Sequence, residues 1–188
     1  RIISAVDRSK AEGQRNRAIL ETLYSCGLRV SELVNLKLSD LYFDEGFIKV
    51  EGKGSKQRLV PISPRTINEI KLYFTDRNRI EVKKEYEDFV FVSQRRGKGL
   101  SRIMIFHMIK ELAQTAGIIK NISPHTFRHS FATHLLEGGA NLRAIQCMLG
   151  HESIATTEIY THIDRNMLRS EIIEHHPRNI KYRKEKER

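Results

Sequence analysis

The amino-acid sequence predicts an α+β domain that is mostly α-helical and carries a small three-stranded antiparallel sheet. Two observations predict it. Most apolar residues recur three and four positions apart between helix-capping residues, and only a few short runs alternate or cluster as strands do. The 188 residues are enough for one domain with a sizeable core.

Arg15 to Cys26 sets Ala18, Ile19, Leu23 and Cys26 at helical spacing and stops at Gly27, which suits a left-handed cap. A shorter helix follows through Ser31 to Leu36, so Arg29 falls at the junction. Phe47 to Glu51 and Arg58 to Ile62 alternate apolar and polar residues around Gly52-Lys-Gly-Ser-Lys, a hairpin with Lys53 in its turn. Ser63 and Pro64 open a helix over 65–74, and the charge-rich stretch 76–88 reads as a helix end and a loop. Phe89 to Val92, apolar throughout, is expected to be the buried third strand.

Gln94-Arg-Arg-Gly-Lys-Gly is a flexible basic loop, after which Ser101 caps a helix with Ile105, Met108, Ile109, Leu112 and Ala116 on one face. Ser123 and Pro124 start the next helix. Its buried stripe is Phe127, Phe131 and Leu135, and His125 and Arg128 share a different face. Gly138-Gly139 end that helix, Asn141 caps another through Leu149, and Gly150 turns the chain towards His151. From Arg178 to Arg188, six basic and two acidic residues with little apolar content predict a flexible tail.

Thirty-three Lys and Arg against 23 Asp and Glu give a net charge of +10. That excess points to a polyanionic partner, because phosphates neutralised by cationic side chains release condensed counterions. Cys26 and Cys147 fit no disulfide or Cys-x-x-Cys pattern and read as buried thiols of a reducing compartment. With no apolar run near the roughly 20 residues of a spanning helix and no secretory leader pattern, a soluble cytoplasmic protein without membrane insertion is expected.

The candidate chemistry lies in Arg29, Lys53, His125, Arg128, His151 and Tyr160. A phosphodiester resists attack because its charge repels nucleophiles and its leaving alkoxide is very basic. Arg29 and Arg128 suit the first problem, since a guanidinium stays charged and donates paired hydrogen bonds to non-bridging oxygens. Lys53 is placed to protonate the leaving 5′ oxygen, His151 to add a donor to the transition state, Tyr160 to attack, and His125 to assist proton removal or hold the phosphate. Taken one at a time these residues have plain readings, such as a surface ion pair of Arg29 with Glu32 or a core-edge Tyr160.

No metal or cofactor is expected. His125 and His129 stand four apart, but Thr126 occupies the place of the Glu in a His-Glu-x-x-His zinc motif. His107, His134, His162, His175 and His176 read as structural or surface residues.

The linked motifs Gly27-Leu-Arg-Val-Ser-Glu-Leu, Gly52-Lys-Gly-Ser-Lys-Gln-Arg, His125-Thr-Phe-Arg-His-Ser-Phe-Ala-Thr-His, Leu149-Gly-His and Ile159-Tyr-Thr-His closely resemble the tyrosine recombinases, within them the Xer-like and phage-integrase-like enzymes. The resemblance runs from about Arg15 to Arg178 and fills all six catalytic positions with the expected residue types. It implies a helical catalytic domain over 1–177 with a small three-stranded sheet, a 3′-phosphotyrosine intermediate, and a tetramer of identical or paralogous subunits assembled on two double-stranded DNA sites in the nucleoid. In such assemblies a C-terminal segment docks on a neighbouring subunit. Here the matching stretch is 167–177, with Ile172 and Ile173 as apolar anchors. The N-terminal helical domain usual in the family is expected to be missing from this chain.

Further DNA contacts are expected from Lys56 and Arg58 beside the hairpin turn, Arg95, Arg96 and Lys98 in the basic loop, and Arg102 at the next helix start. Two alternatives stand beside recombination. One is DNA relaxation of the type IB topoisomerase kind. The other is a non-catalytic DNA-binding module using the helices from Asn141 onward.

Overall fold

The structure, a computed structural model, describes residues 1–150 and 165–187. Helix α1 (Gly13–Cys26) lies at its centre, packed on α3 (Pro64–Arg77) and on α5 (Pro124–Glu137). It ends at Gly27 with φ 65, in the left-handed region a glycine enters without penalty. A side chain at 27 would also run into Phe131, since a Cβ there lies 2.4 Å from the ring. The chain then starts α2 (Val30–Val34), whose Glu32 carboxylate accepts the Arg29 backbone N–H at 2.8 Å. That bond fixes Arg29 at the helix start.

Strands β1 (Leu41–Tyr42), β2 (Phe47–Glu51) and β3 (Gln57–Pro61) form an antiparallel sheet in that order, with Phe47 opposite Pro61 and Glu51 opposite Gln57. The hairpin lies where the alternation predicts it, and the third strand does not. Val90 to Val92 is buried and Phe89 half-buried, but the segment makes only isolated bridges, Lys37 to Phe89 and Val92 to Gly99. Side chains supply what a neighbouring strand would: Arg77 donates to the carbonyls of Glu87, Phe89 and Val90, Arg15 to that of Val92, and the Tyr73 hydroxyl accepts the Val92 N–H. With the buried backbone satisfied in this way, no fourth strand is required.

Ser63 and Ser101 cap α3 and α4 (Arg102–Thr115) with their side chains, and Pro64 and Pro124 take first helical positions. Asn141 caps α6 (Leu142–Leu149), which ends at Gly150 with φ 66. Among the described residues, two apolar clusters result. The larger joins α1 to α4 and the sheet, and the smaller joins Phe131, Leu135, Ala144, Ile145, Met148 and Leu149 to Leu168 and Ile172 of α7 (Arg165–His175). In this chain, therefore, the stretch expected to reach a neighbouring subunit packs on its own domain, with Ile172 buried and Ile173 half-buried.

The expected flexible tail is instead helix α8 (Pro177–Lys186). The His176 ring accepts the Arg178 N–H as its cap, Pro177 begins it, and Arg178 pairs with the fully buried carboxylate of Glu21, which Arg65 also approaches at 3.4 Å. Composition alone did not foresee a buried acid waiting on α1. Among the described residues, no helix is long and apolar enough to cross a membrane.

His176 is completely buried between α8 and α1, and its Nε2 bonds the Tyr24 carbonyl at 3.3 Å. Burial holds its pKa down to about 4, only partly offset by the Tyr24 carbonyl and reinforced by the nearby His134 and Arg178. The unfolded chain protonates this histidine near its ordinary value of 6.5, whereas the folded chain resists protonation down to about 4. Stability is thus full above about pH 6.5 and falls by roughly 3 kcal/mol on acidification towards pH 4. Urea midpoints measured across that window should decline, with a shallower decline in His176→Gln.

Candidate active site

The site is built around one acid. Glu32 is 2% exposed and receives Arg58 through a bidentate pair, in which Nη2 donates to Oε1 at 3.0 Å and Nη1 to Oε2. Arg128 approaches the same carboxylate, Nη1 to Oε1 at 4.0 Å. Burial raises the Glu32 pKa, but hydrogen bonds from Arg58 and from the Arg29 backbone, with the charges of Arg58 and Arg128, outweigh it and hold the carboxyl below its ordinary value. The acid therefore stays ionised.

Arg128 extends from α5 across the α1 end, donating from Nη1 to the Gly27 carbonyl at 2.7 Å and from Nη2 to the Leu149 carbonyl at 2.6 Å. Burial, then the charges of Arg29 and Arg58, lower its pKa to about 10 against the pull of Glu32, which still leaves it cationic at neutral pH. A guanidinium has five N–H donors, so these two carbonyls do not exhaust it.

Arg29 stands half-buried at the start of α2, on the same side as Lys53. Both line a cleft of about 830 Å³, together with Lys37, Lys49 and Asp88. The proximity shows at Gly52: a Cβ there would lie 3.4 Å from Glu32 Oε2, 3.6 Å from Arg58 Nη1 and 3.7 Å from Arg29 Nη1, all ordinary contact distances. The hairpin thus packs on the charged cluster at the residue before Lys53, and Gly54 with φ 71 shapes the exposed turn. His125 is exposed in the first turn of α5, one turn before Arg128.

The structure therefore brings together Arg29, Arg128 and the Lys53 turn, with His125 on the helix that carries Arg128. His151 and Tyr160 lie outside the described residues. Of the other predicted contacts, Lys56, Arg95, Arg96, Lys98 and Arg102 are exposed. Arg58 is a correction: at 8% exposure, and bonded to Glu32 and to the Met148 carbonyl at 2.9 Å, it presents no free charge to a surface ligand. Alternation along β3 gives Arg58 the buried register of Val60, against the preference of a charged side chain for water. Glu32 was the larger omission, legible only as a surface partner of Arg29. Among the described residues, no group of three or more His, Cys, Asp or Glu could hold a metal ion.

The family model described as the phage integrase family matches residues 1–167. The chain belongs to the phage integrase family. Within it, the chain is 46% identical over 177 residues to a tyrosine recombinase XerD of Pseudomonas putida, covering 94% of this chain and 59% of that relative. The chain thus spans under two thirds of that relative's length. It is similar in fold to a XerA recombinase, with TM-score 0.71 and 37% identity over 94% of this chain and 62% of the other. A XerH site-specific recombinase bound to its difH substrate in a pre-cleavage complex matches with TM-score 0.69 and 31% identity, over 86% of this chain and 46% of that one.

Replacing Glu32 by Gln removes the carboxylate that, among the described residues, pairs with Arg58 and Arg128 in this family member. Breaking a buried ion pair from one side leaves an uncompensated charge, so urea unfolding of Glu32→Gln should show a loss of about 3–5 kcal/mol. A change under about 1 kcal/mol would mean that water or a counterion already shields the arginines.

Proposed function

We propose that this chain is the catalytic part of a site-specific DNA recombinase that cuts and rejoins DNA through a 3′-phosphotyrosine, with neither metal nor ATP. The observation that carries the reading is the convergence of two guanidiniums, Arg29 and Arg128, beside the Lys53 turn. Relatives named as tyrosine recombinases support it, as does a neighbour bound to its difH substrate.

Arg29 and Arg128 hold the non-bridging oxygens and neutralise charge as the pentacoordinate phosphorus forms. The Tyr160 oxygen attacks phosphorus and its proton leaves with help from His125. As the bond from phosphorus to the 5′ oxygen breaks, Lys53 delivers a proton to that oxygen, and His151 donates a further hydrogen bond to the phosphoryl group. The new phosphotyrosine bond keeps the ester's free energy, so attack by a 5′ hydroxyl from another strand reverses the chemistry without an external energy source. Lys56, Arg95, Arg96, Lys98 and Arg102 grip the duplex backbone, and four subunits pair two DNA sites in the cytoplasm.

A suicide-substrate trap tests this. Nicked duplex carrying a candidate site, incubated with the full-length protein in EDTA, should give a covalent band on a denaturing gel that disappears in Tyr160→Phe. A band that survives that substitution would remove Tyr160 as nucleophile.

A further inference from the structure

Two guanidiniums hold two successive carbonyls at the end of α6. Arg58 Nε donates to Met148 at 2.9 Å and Arg128 Nη2 to Leu149 at 2.6 Å, immediately before Gly150. The last carbonyls of a helix have no partner within it, and that end attracts cations. Gly150 lies against the clamp itself. A Cβ there would sit 3.0 Å from Arg58 Cδ and 3.1 Å from its Nε and Nη1, and φ of 66 turns the backbone away from the helix. The residue after Gly150 is His151.

We propose that Arg58 is a positioning residue for strand cleavage: its planar fork ties β3, Glu32 and the α6 end into one unit, setting both the arginine pair and the place from which the chain leaves towards His151 and Tyr160. The proposal rests on the recombinase reading. On this proposal Arg58 does not hold the phosphate itself. It acts through Glu32, which faces Arg29 and Arg128, and through the Met148 carbonyl. Geometry is essential here, because only a guanidinium makes the bidentate pair and the carbonyl bond together. Lysine keeps the charge and loses the fork.

The test compares Arg58→Lys, Arg58→Met and Gly150→Ala in the full-length protein. Four quantities are read: thermal midpoint, DNA affinity against salt, single-turnover cleavage of the nicked duplex at saturating protein, and amide exchange across 144–150 relative to α1. Arg58→Lys should recover most of the stability lost in Arg58→Met yet cleave about 100-fold more slowly than the parent, the scale of a misplacement near 1 Å. Affinity and its salt slope should stay as in the parent, while exchange quickens at Leu149 and Gly150 alone.

Gly150→Ala pushes on the same fork from the other side and should give the same pattern, so the test survives if the Arg58 variants fail to fold. Cleavage that recovers in step with stability would reduce Arg58 to a structural residue, and a salt slope lower by about one would make it a phosphate contact. If the parent forms no Tyr160-dependent adduct, the recombinase reading falls by itself. Exchange then still judges the clamp, and a uniform or absent change overturns it.

Discussion

A single ionised carboxylate under three guanidiniums is the constraint on which this domain is arranged. Arg29, Arg58 and Arg128 bring their positive charges close together, and among the described residues Glu32 is the carboxylate that Arg58 and Arg128 approach, in a partly water-excluded place. Without Glu32 the arginines would repel each other at short range in a medium that screens poorly. With it, each nitrogen of the Arg58 guanidinium has a partner, while Arg29 and Arg128 keep donors for an anion. A buried ion pair is a weak source of stability but a strict one of geometry, since each partner tolerates few alternative placements.

That geometry is assembled from distant parts of the chain. Arg29 and Glu32 belong to the start of α2, Arg58 to β3, Arg128 to α5, and the carbonyls they bind to the ends of α1 and α6. Each placement has a local cause. Gly27 allows the chain to turn against the Phe131 ring after α1, which brings the Gly27 carbonyl under Arg128, and the hairpin passes the cluster at Gly52. Gly27 matters through what approaches it as much as through backbone freedom.

Helix positions were legible because capping residues and apolar spacing are local: Ser63, Ser101 and Asn141 all cap as their sequence context implies. The β2–β3 hairpin was legible for the same reason. What failed depended on partners far along the chain. Leu41–Tyr42 is too short to alternate, whereas Phe89 to Val92 has strand composition but has its backbone satisfied by Arg15, Tyr73 and Arg77. The C-terminal basic run is helical because Glu21 is buried beneath it. At the site, Arg29, Lys53 and Arg128 could be picked out by residue type, but nothing local separates a buried Arg58 from exposed neighbours such as Lys56.

The two apolar clusters divide the proposed chemistry between them. Arg29 and Lys53 stand on elements of the larger cluster, whereas Leu149 and Leu168, on either side of the stretch with His151 and Tyr160, are both buried in the smaller. In the proposed chemistry, independent movement of the clusters would separate Arg29 from the nucleophile assigned to Tyr160. Two features oppose this: α5 contributes Phe127 to one cluster and Phe131 to the other, and Arg58 and Arg128 reach from the Glu32 cluster to the α6 carbonyls. Apolar contact alone would let the interface slide, because dispersion has little directional preference. Hydrogen bonds to two named carbonyls do not slide, and they set the register between the halves of the site.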